Sequence, residues 1–338
     1  MKPRDFHQFS TVIHFDGTES LGRTNHIYRS SPHDFRSLVI PFQLGVCGVT
    51  FNSIVVLFLR KAKSLANPFG IITLNQAVTD LINSIVFAFI VAPTVFLTIP
   101  LPFEVTSRLG QLLFLAYDCC SWSHLLITLN RFTSIFFPFY YALIFSRSKT
   151  LLYTLLIWTL AICINFYEYV FVDCHFYLPV GSWNFDFKGG DACKDIEWNM
   201  FLTAVIAILD IATVIKFHRY SRDREQPNSQ RKKRMQKQEF YFLAQAMLQS
   251  TLFYIELVCC YNLGALPFVA SQWAQFGLRT VAWVTTHAAD GLITLVCNGD
   301  FRRMVSRNIL GAKGESVEEL HSAKTSVFKV TTKISVEP

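Results

Sequence analysis

Eight ionisable residues stand inside long apolar stretches of this 338-residue chain: Asp80, Asp118, Glu168, Asp210, Glu256, Arg279, His287 and Asp290. Charged groups are costly in apolar surroundings. They persist there by facing the interior of a helix bundle, where they pair or line a route for an ion or ligand. Asp80 and Asp290 are the best placed, nine residues from the start of the second apolar run and eight from the end of the seventh. Two carboxylates at such depth can hold a cation or share a proton, so that helix packing responds to charge. No metal is expected, sodium at Asp80 being the one exception considered. Glu168 and Arg279 lie near enough to run ends to sit at an interface instead. No nucleophile–base pair or metal-ligand spacing accompanies these groups, and the H-E-x-x-H, G-x-S-x-G and phosphate-loop patterns are missing. Neither an enzyme nor a cofactor is expected.

Nine cysteines are present, without a C-x-x-C pair or a His/Cys ladder, so zinc and redox motifs are not expected. Seven of them lie within apolar runs and read as small hydrophobes. Cys174 and Cys193 fall instead in the connection 173–199. A bond between them is one reading, if that loop faces an oxidising compartment. Two free thiols, or one pairing to a helix end, are the alternatives.

The elements that must position these groups are long apolar helices. Hydrophobic residues make up 51 % of the chain and charged ones 16 %, where a soluble protein carries about 25 % charged. Seven runs approach or exceed the ~20 apolar residues that span a bilayer: 38–59, 71–97, 109–130, 150–172, 200–217, 240–263 and 273–298. Barrel strands would be half as long and strictly alternating, and a helix satisfies its own backbone in lipid. The expectation is an all-α membrane protein, a seven-helix bundle. The fifth run is the weakest, being short and holding Asp210. The stretch 1–37 is a polar, extracellular segment with no apolar run, so the first helix acts as an uncleaved insertion signal. Residues 38–298 form the transmembrane domain, and 299–338 a cytoplasmic amphipathic helix and disordered tail.

Lys and Arg orient the bundle, because they collect on the cytoplasmic side. Of the 31, 22 lie in the segments 60–70, 131–149, 216–239 and 299–338, and eight on the opposite side. The amino terminus is therefore expected outside and the tail inside. The net charge of +7 is a property of these loops beside an anionic leaflet. Nucleic-acid binding by Arg231-Lys232-Lys233-Arg234 is the weaker reading.

Several motifs carry a resemblance. Leu74-Asn75-Gln76-Ala77-Val78-Thr79-Asp80-Leu81 resembles the second-helix motif of rhodopsin-like G-protein-coupled receptors, with Asn52 placed 28 residues earlier as their first-helix Asn would be. Thr128-Leu129-Asn130-Arg131-Phe132 stands where that class has D/E-R-Y. Trp158 takes the place of the fourth-helix Trp, and Asp290-Gly291 with Phe301-Arg302 that of the seventh-helix motif. Trp283 followed by His287-Ala288-Ala289-Asp290-Gly291-Leu292-Ile293 resembles more narrowly the nematode serpentine receptors of class X. So do Asn67-Pro68-Phe69-Gly70 and Ser123-His124-Leu125.

This resemblance implies a chemosensory receptor that binds a small extracellular ligand and signals through a heterotrimeric G protein. It would act in the plasma membrane, or the ciliary membrane of a sensory neuron. Tyr117, Asp118, Trp122 and Glu256 would line the ligand site, with bundle packing as the competing reading of the aromatics. Asn52, Asp80, Asn130, Arg131, His287, Asp290 and Gly291 would form the activation core. The chain also departs from the class. Asn130 replaces the acid before Arg131, the sixth helix lacks its proline, and Gly291 stands in the seventh where the class has one. No cysteine lies near Thr106 or Ser107, so the usual bond to the third helix cannot form, which favours the Cys174–Cys193 pairing. The alternatives are a transporter or channel using the same carboxylates, and a receptor-like protein that does not signal.

Overall fold

The computed structural model describes residues 35–59, 67–189, 193, 195–223, 230–264, 266, 269 and 271–299. The expectations for 1–34, for the first basic loop and for the amphipathic segment around Phe301 and Arg302 lie outside the described residues, as do the side chains of Arg231 to Arg234.

Among the described residues, seven helices are long and apolar enough to cross a membrane. The first is Phe35–Leu59. The second spans Pro68–Phe96, the third Phe103–Phe136, the fourth Arg147–Phe171 and the seventh Gln272–Cys297. The fifth is Asp195–Asp223, and the sixth begins at Gln230 and carries its apolar span over Glu239–Leu263. The fifth run looked short because its ends are polar. As a helix it extends well beyond them.

Local chemistry sets several boundaries. Asn67 caps the second helix by accepting from the Gly70 amide at 2.9 Å, with Pro68 in the first turn. Ser146 and Ser271 cap the fourth and seventh in the same way. In the second helix Pro93 has no N–H to donate, and the preceding turn Phe87–Val91 widens to a π-turn. The sixth and seventh helices carry π-turns too, Val258–Leu263 and Gly277–Val281.

Between the fourth and fifth helices lies a small antiparallel hairpin, β1 His175–Tyr177 and β2 Asp186–Lys188, in which Phe176 faces Phe187. Cys174 and Cys193 are joined in a disulfide that closes this segment on itself. The hairpin lies against the third helix at Gly110, where any Cβ would overlap the Phe176 carbonyl oxygen.

The polarity of the bundle is the reverse of a soluble protein's. Large apolar side chains such as Leu155, Phe171, Ile208 and Phe89 point outward and exposed. Asn52, Asp80, Asn83, His124, Gln245, Gln249 and Asp290 are buried inside. That distribution suits lipid outside and satisfied polar groups within.

Candidate functional site

At the hairpin end, the third, sixth and seventh helices enclose a cavity of about 240 Å³. Phe176, Phe185 and Phe187 of the hairpin segment cover it, and Phe114, Tyr117 and Trp283 form much of its aromatic wall. The two π-turns supply the rest, with Cys260 and Tyr261 from one and Arg279 and Thr280 from the other. Turns of this kind rotate side chains that a regular helix would aim elsewhere. Glu256 adds a buried carboxylate whose Oε2 has no hydrogen-bond partner among the described residues. Arg279 likewise lines the cavity with its Nε unpartnered.

Of the four residues expected at a ligand site, Tyr117 and Glu256 line this cavity. Trp122 packs instead near Ile157 and Ala161, with its ring 5.8 Å from Trp198. Asp118 is buried but absent from the lining. Helix periodicity explains the split. At 100° per residue, Asp118 is about 100° from Tyr117 and Trp122 about 140°, so they cannot all face one cavity.

Below the cavity floor runs a buried polar network. Trp283 Nε1 donates to His287 Nε2 at 2.6 Å, and His287 Nδ1 meets Asp80 Oδ1 at 2.7 Å. These two contacts fix the tautomer. Nε2 must be the acceptor, so the ring proton sits on Nδ1 and is donated to Asp80. The Cys120 thiol donates to the same Asp80 oxygen at 3.3 Å. Asp290 Oδ2 accepts from Gln76 at 2.7 Å and lies 3.3 Å from His124 Nε2. Asp80 and Asp290 are thus held by separate imidazoles, and each keeps one buried oxygen without a partner.

Two amides extend the network to neighbouring helices. Asn52 donates to the His287 carbonyl at 3.0 Å, and Gln249 to the Asp290 carbonyl at 3.2 Å. Gly291 allows the first and seventh helices to touch there. A Cβ on it would fall 2.6 Å from Asn52 Oδ1. Around Asp80 the nearest donors are a thiol and an imidazole. Alkali cations prefer oxygens, so this set fits sodium poorly.

At the opposite end, Arg131 is buried between the rings of Phe69 and Phe242, its guanidinium carbon 4.2 Å and 5.4 Å from their centroids. It donates to Asn130 Oδ1 at 2.7 Å and to Glu239 Oε2 of the sixth helix at 3.1 Å. The Asn130 amide thus serves as the local acceptor where the class has an acid. Its nitrogen in turn donates to the Tyr141 hydroxyl at 3.1 Å.

Sequence reading had not singled out Cys120, Gln249 or Glu239, and had noted Gln76 and His124 only as parts of motifs. One signal was available, since Cys120 and His124 are four apart and share a helix face with the third-helix polar positions. Also outside the expectations was a second bridge, in which Trp158 donates to Asn75 at 2.7 Å and Asn75 to Ser123 at 2.8 Å.

The family model described as serpentine type 7TM GPCR chemoreceptor Srx matches residues 42–298. The chain is 29 % identical over 309 residues to serpentine receptor class X 45 of Caenorhabditis elegans, across 84 % of this chain and 83 % of that one. It is 24 % identical over 262 residues to serpentine receptor class X-43 of the same organism, across 75 % of this chain and 81 % of that one. Among solved structures, squid rhodopsin matches with a TM-score of 0.68 at 14 % identity, over 90 % of this chain and 92 % of that one. This last likeness is one of fold.

Proposed function

The chain belongs to the Srx family of serpentine seven-transmembrane chemoreceptors, and from that premise we propose that it binds a small extracellular molecule in the aromatic cavity and passes the event to a heterotrimeric G protein. The observation that carries this reading is the continuity between cavity and core. Trp283 lines the cavity and at the same time donates to His287, which holds Asp80. A molecule that displaces Trp283 disturbs a hydrogen-bonded chain running from the seventh helix to the second. Only a ligand that favours one of two arrangements can shift the receptor between them.

The lining describes the ligand. A volume of about 240 Å³ suits a molecule smaller than most drugs. The aromatic rings favour a flat or apolar body. Glu256 and Asp186 outnumber Arg279 among the lining charges, and with the aromatic faces they favour a positively charged or hydrogen-bond-donating end. Arg131 and Glu239 hold the third and sixth helices together at the other end, as expected of a resting state. Their separation would open the face that a G protein reads.

The distribution of Lys and Arg supports a plasma-membrane orientation with the amino terminus outside and the Arg131 end in the cytoplasm. In a sensory neuron the ciliary membrane is the site that meets external cues. The test is expression with a G-protein reporter and a panel of small amines and aromatics. Glu256→Gln should weaken responses to cationic agonists at least tenfold while leaving surface expression unchanged. A receptor that responds to such agonists equally well with Glu256→Gln and with Tyr117→Ala would refute this placement of the ligand.

A further inference from the structure

The centre of the bundle holds two overlapping sets of metal-ligating atoms. Asp80, Cys120 and His287 form one, and Cys120, His124 and Asp290 the other, with the donors of each set within 4.8 Å of one another. Both sets use the single sulfur of Cys120. All five side chains are buried, and they come from the second, third and seventh helices. We propose that this cluster is a binding site for a divalent transition-metal ion of the zinc type, with Asp80, Cys120 and His287 as three ligands and the fourth drawn from His124 or Asp290.

Geometry supports the site first. A tetrahedral zinc ion with bonds of about 2.0–2.3 Å places its ligands roughly 3.3–3.7 Å apart. Here Asp80 Oδ1 lies 2.7 Å from His287 Nδ1 and 3.3 Å from Cys120 Sγ. Shifts of about 1 Å would admit the ion. Second, Asp80 Oδ2 and Asp290 Oδ1 are buried side-chain oxygens with no hydrogen-bond partner among the described residues. Unpaired buried acceptors are costly, and a cation satisfies them. The donor chemistry then selects among cations. Thiolate and imidazole favour zinc-type ions over sodium, magnesium or calcium. Charge fits as well. A dication with the Asp80 carboxylate, the Cys120 thiolate and two neutral imidazoles, His287 and His124, sums to zero, which suits a buried site and favours His124 as the fourth ligand.

Binding would balance simply and involve no redox step. The Cys120 thiol loses its proton to solvent as sulfur coordinates. The His287 proton moves from Nδ1 to Nε2, freeing the Nδ1 lone pair for the metal. That transfer turns Nε2 from acceptor to donor. The 2.6 Å hydrogen bond from Trp283 cannot survive it. Trp283 must then turn in the cavity wall, so metal occupancy sets the shape of the cavity. The ion acts as a regulator from below the ligand site, and the site stands whether or not the cavity binds a ligand.

The experiment uses the purified full-length receptor without ligand or G protein, so its outcome is independent of the receptor reading. The exposed thiols Cys47 and Cys163 are first replaced by Ser. Cobalt(II) is then titrated as a spectroscopic substitute for zinc. The expected result is one bound ion, a sulfur-to-cobalt charge-transfer band and the intense visible bands of tetrahedral cobalt, all displaced by zinc. Cys120→Ser should abolish the charge-transfer band. Trp283→Phe should keep the band and lose the metal-induced change in tryptophan fluorescence. Weak octahedral cobalt bands with no sulfur band in the parent receptor would overturn the proposal, whatever the variants do. So would an unchanged sulfur band in Cys120→Ser, or thermal stabilisation by sodium and none by zinc.

Discussion

The His287–Asp80 contact can be dissected by a double-mutant cycle. The two side chains meet at 2.7 Å with each residue about 1 % exposed. His287→Ala removes the shortest bond to Asp80 and leaves Trp283 Nε1 without its acceptor. Stripping the donor from a buried carboxylate costs about 3 kcal/mol or more, the upper end for an unsatisfied buried group because this one is charged. Asp80→Ala should cost somewhat less, about 2–3 kcal/mol, because His287 keeps its contact with Trp283. The double variant leaves neither partner stranded. Its cost should fall short of the sum by about 1.5–3 kcal/mol, the range for a hydrogen bond to a charged group. The assay is reversible unfolding of purified receptor in mixed micelles, with the midpoint and slope measured for all four proteins. A coupling below about 0.5 kcal/mol, within the range of independent sites, would refute the reasoning that this pair acts as one unit.

Other perturbations follow from the same structure. Glu239→Ala should raise ligand-independent signalling several-fold in a G-protein reporter assay. It should destabilise by about 1–3 kcal/mol, because buried Arg131 loses its charged acceptor even though the Glu239 side chain is 50 % exposed. Cys174→Ser closes no loop, and the 19-residue separation implies a loss of roughly 3 kcal/mol in the chain-entropy account. Thermal unfolding under oxidising and reducing conditions should show that difference in the parent and not in the variant. Gly291→Ala should destabilise by about 1–3 kcal/mol through overpacking against Asn52, and Asn52→Ala in that background should restore part of the loss.

Much of the fold was legible in the sequence because its signal is local. Each apolar run reports one helix, and the deep carboxylates Asp80 and Asp290 stand out against it. The cross-helix pairings were not legible. Which imidazole meets which carboxylate depends on the rotation and depth of two helices, and neither quantity is written in either segment alone. Gln76, Gln245 and Gln249 were given no role because a search for charge passes over neutral amides, although all three are buried in the core. Trp122 and Tyr117 show the opposite error. Both are aromatic and only five residues apart, yet helix rotation sends them to different neighbours. Asn130 looked like a lost partner for Arg131, but an amide oxygen accepts a hydrogen bond as a carboxylate does, and a more distant acid on the sixth helix supplies the charge.

The order in which the chain is synthesised gives the seventh helix a special burden. Asn52 on the first helix, Gln76 and Asp80 on the second, His124 on the third, and Gln245 and Gln249 on the sixth all find hydrogen-bond partners on it. It is also the last of the seven to leave the ribosome. Until it arrives, these six side chains on four helices lack the partners that the seventh supplies. A premature stop before Gln272 therefore removes the common partner of the whole core, and quality control would meet an open assembly where the intact chain presents a finished receptor.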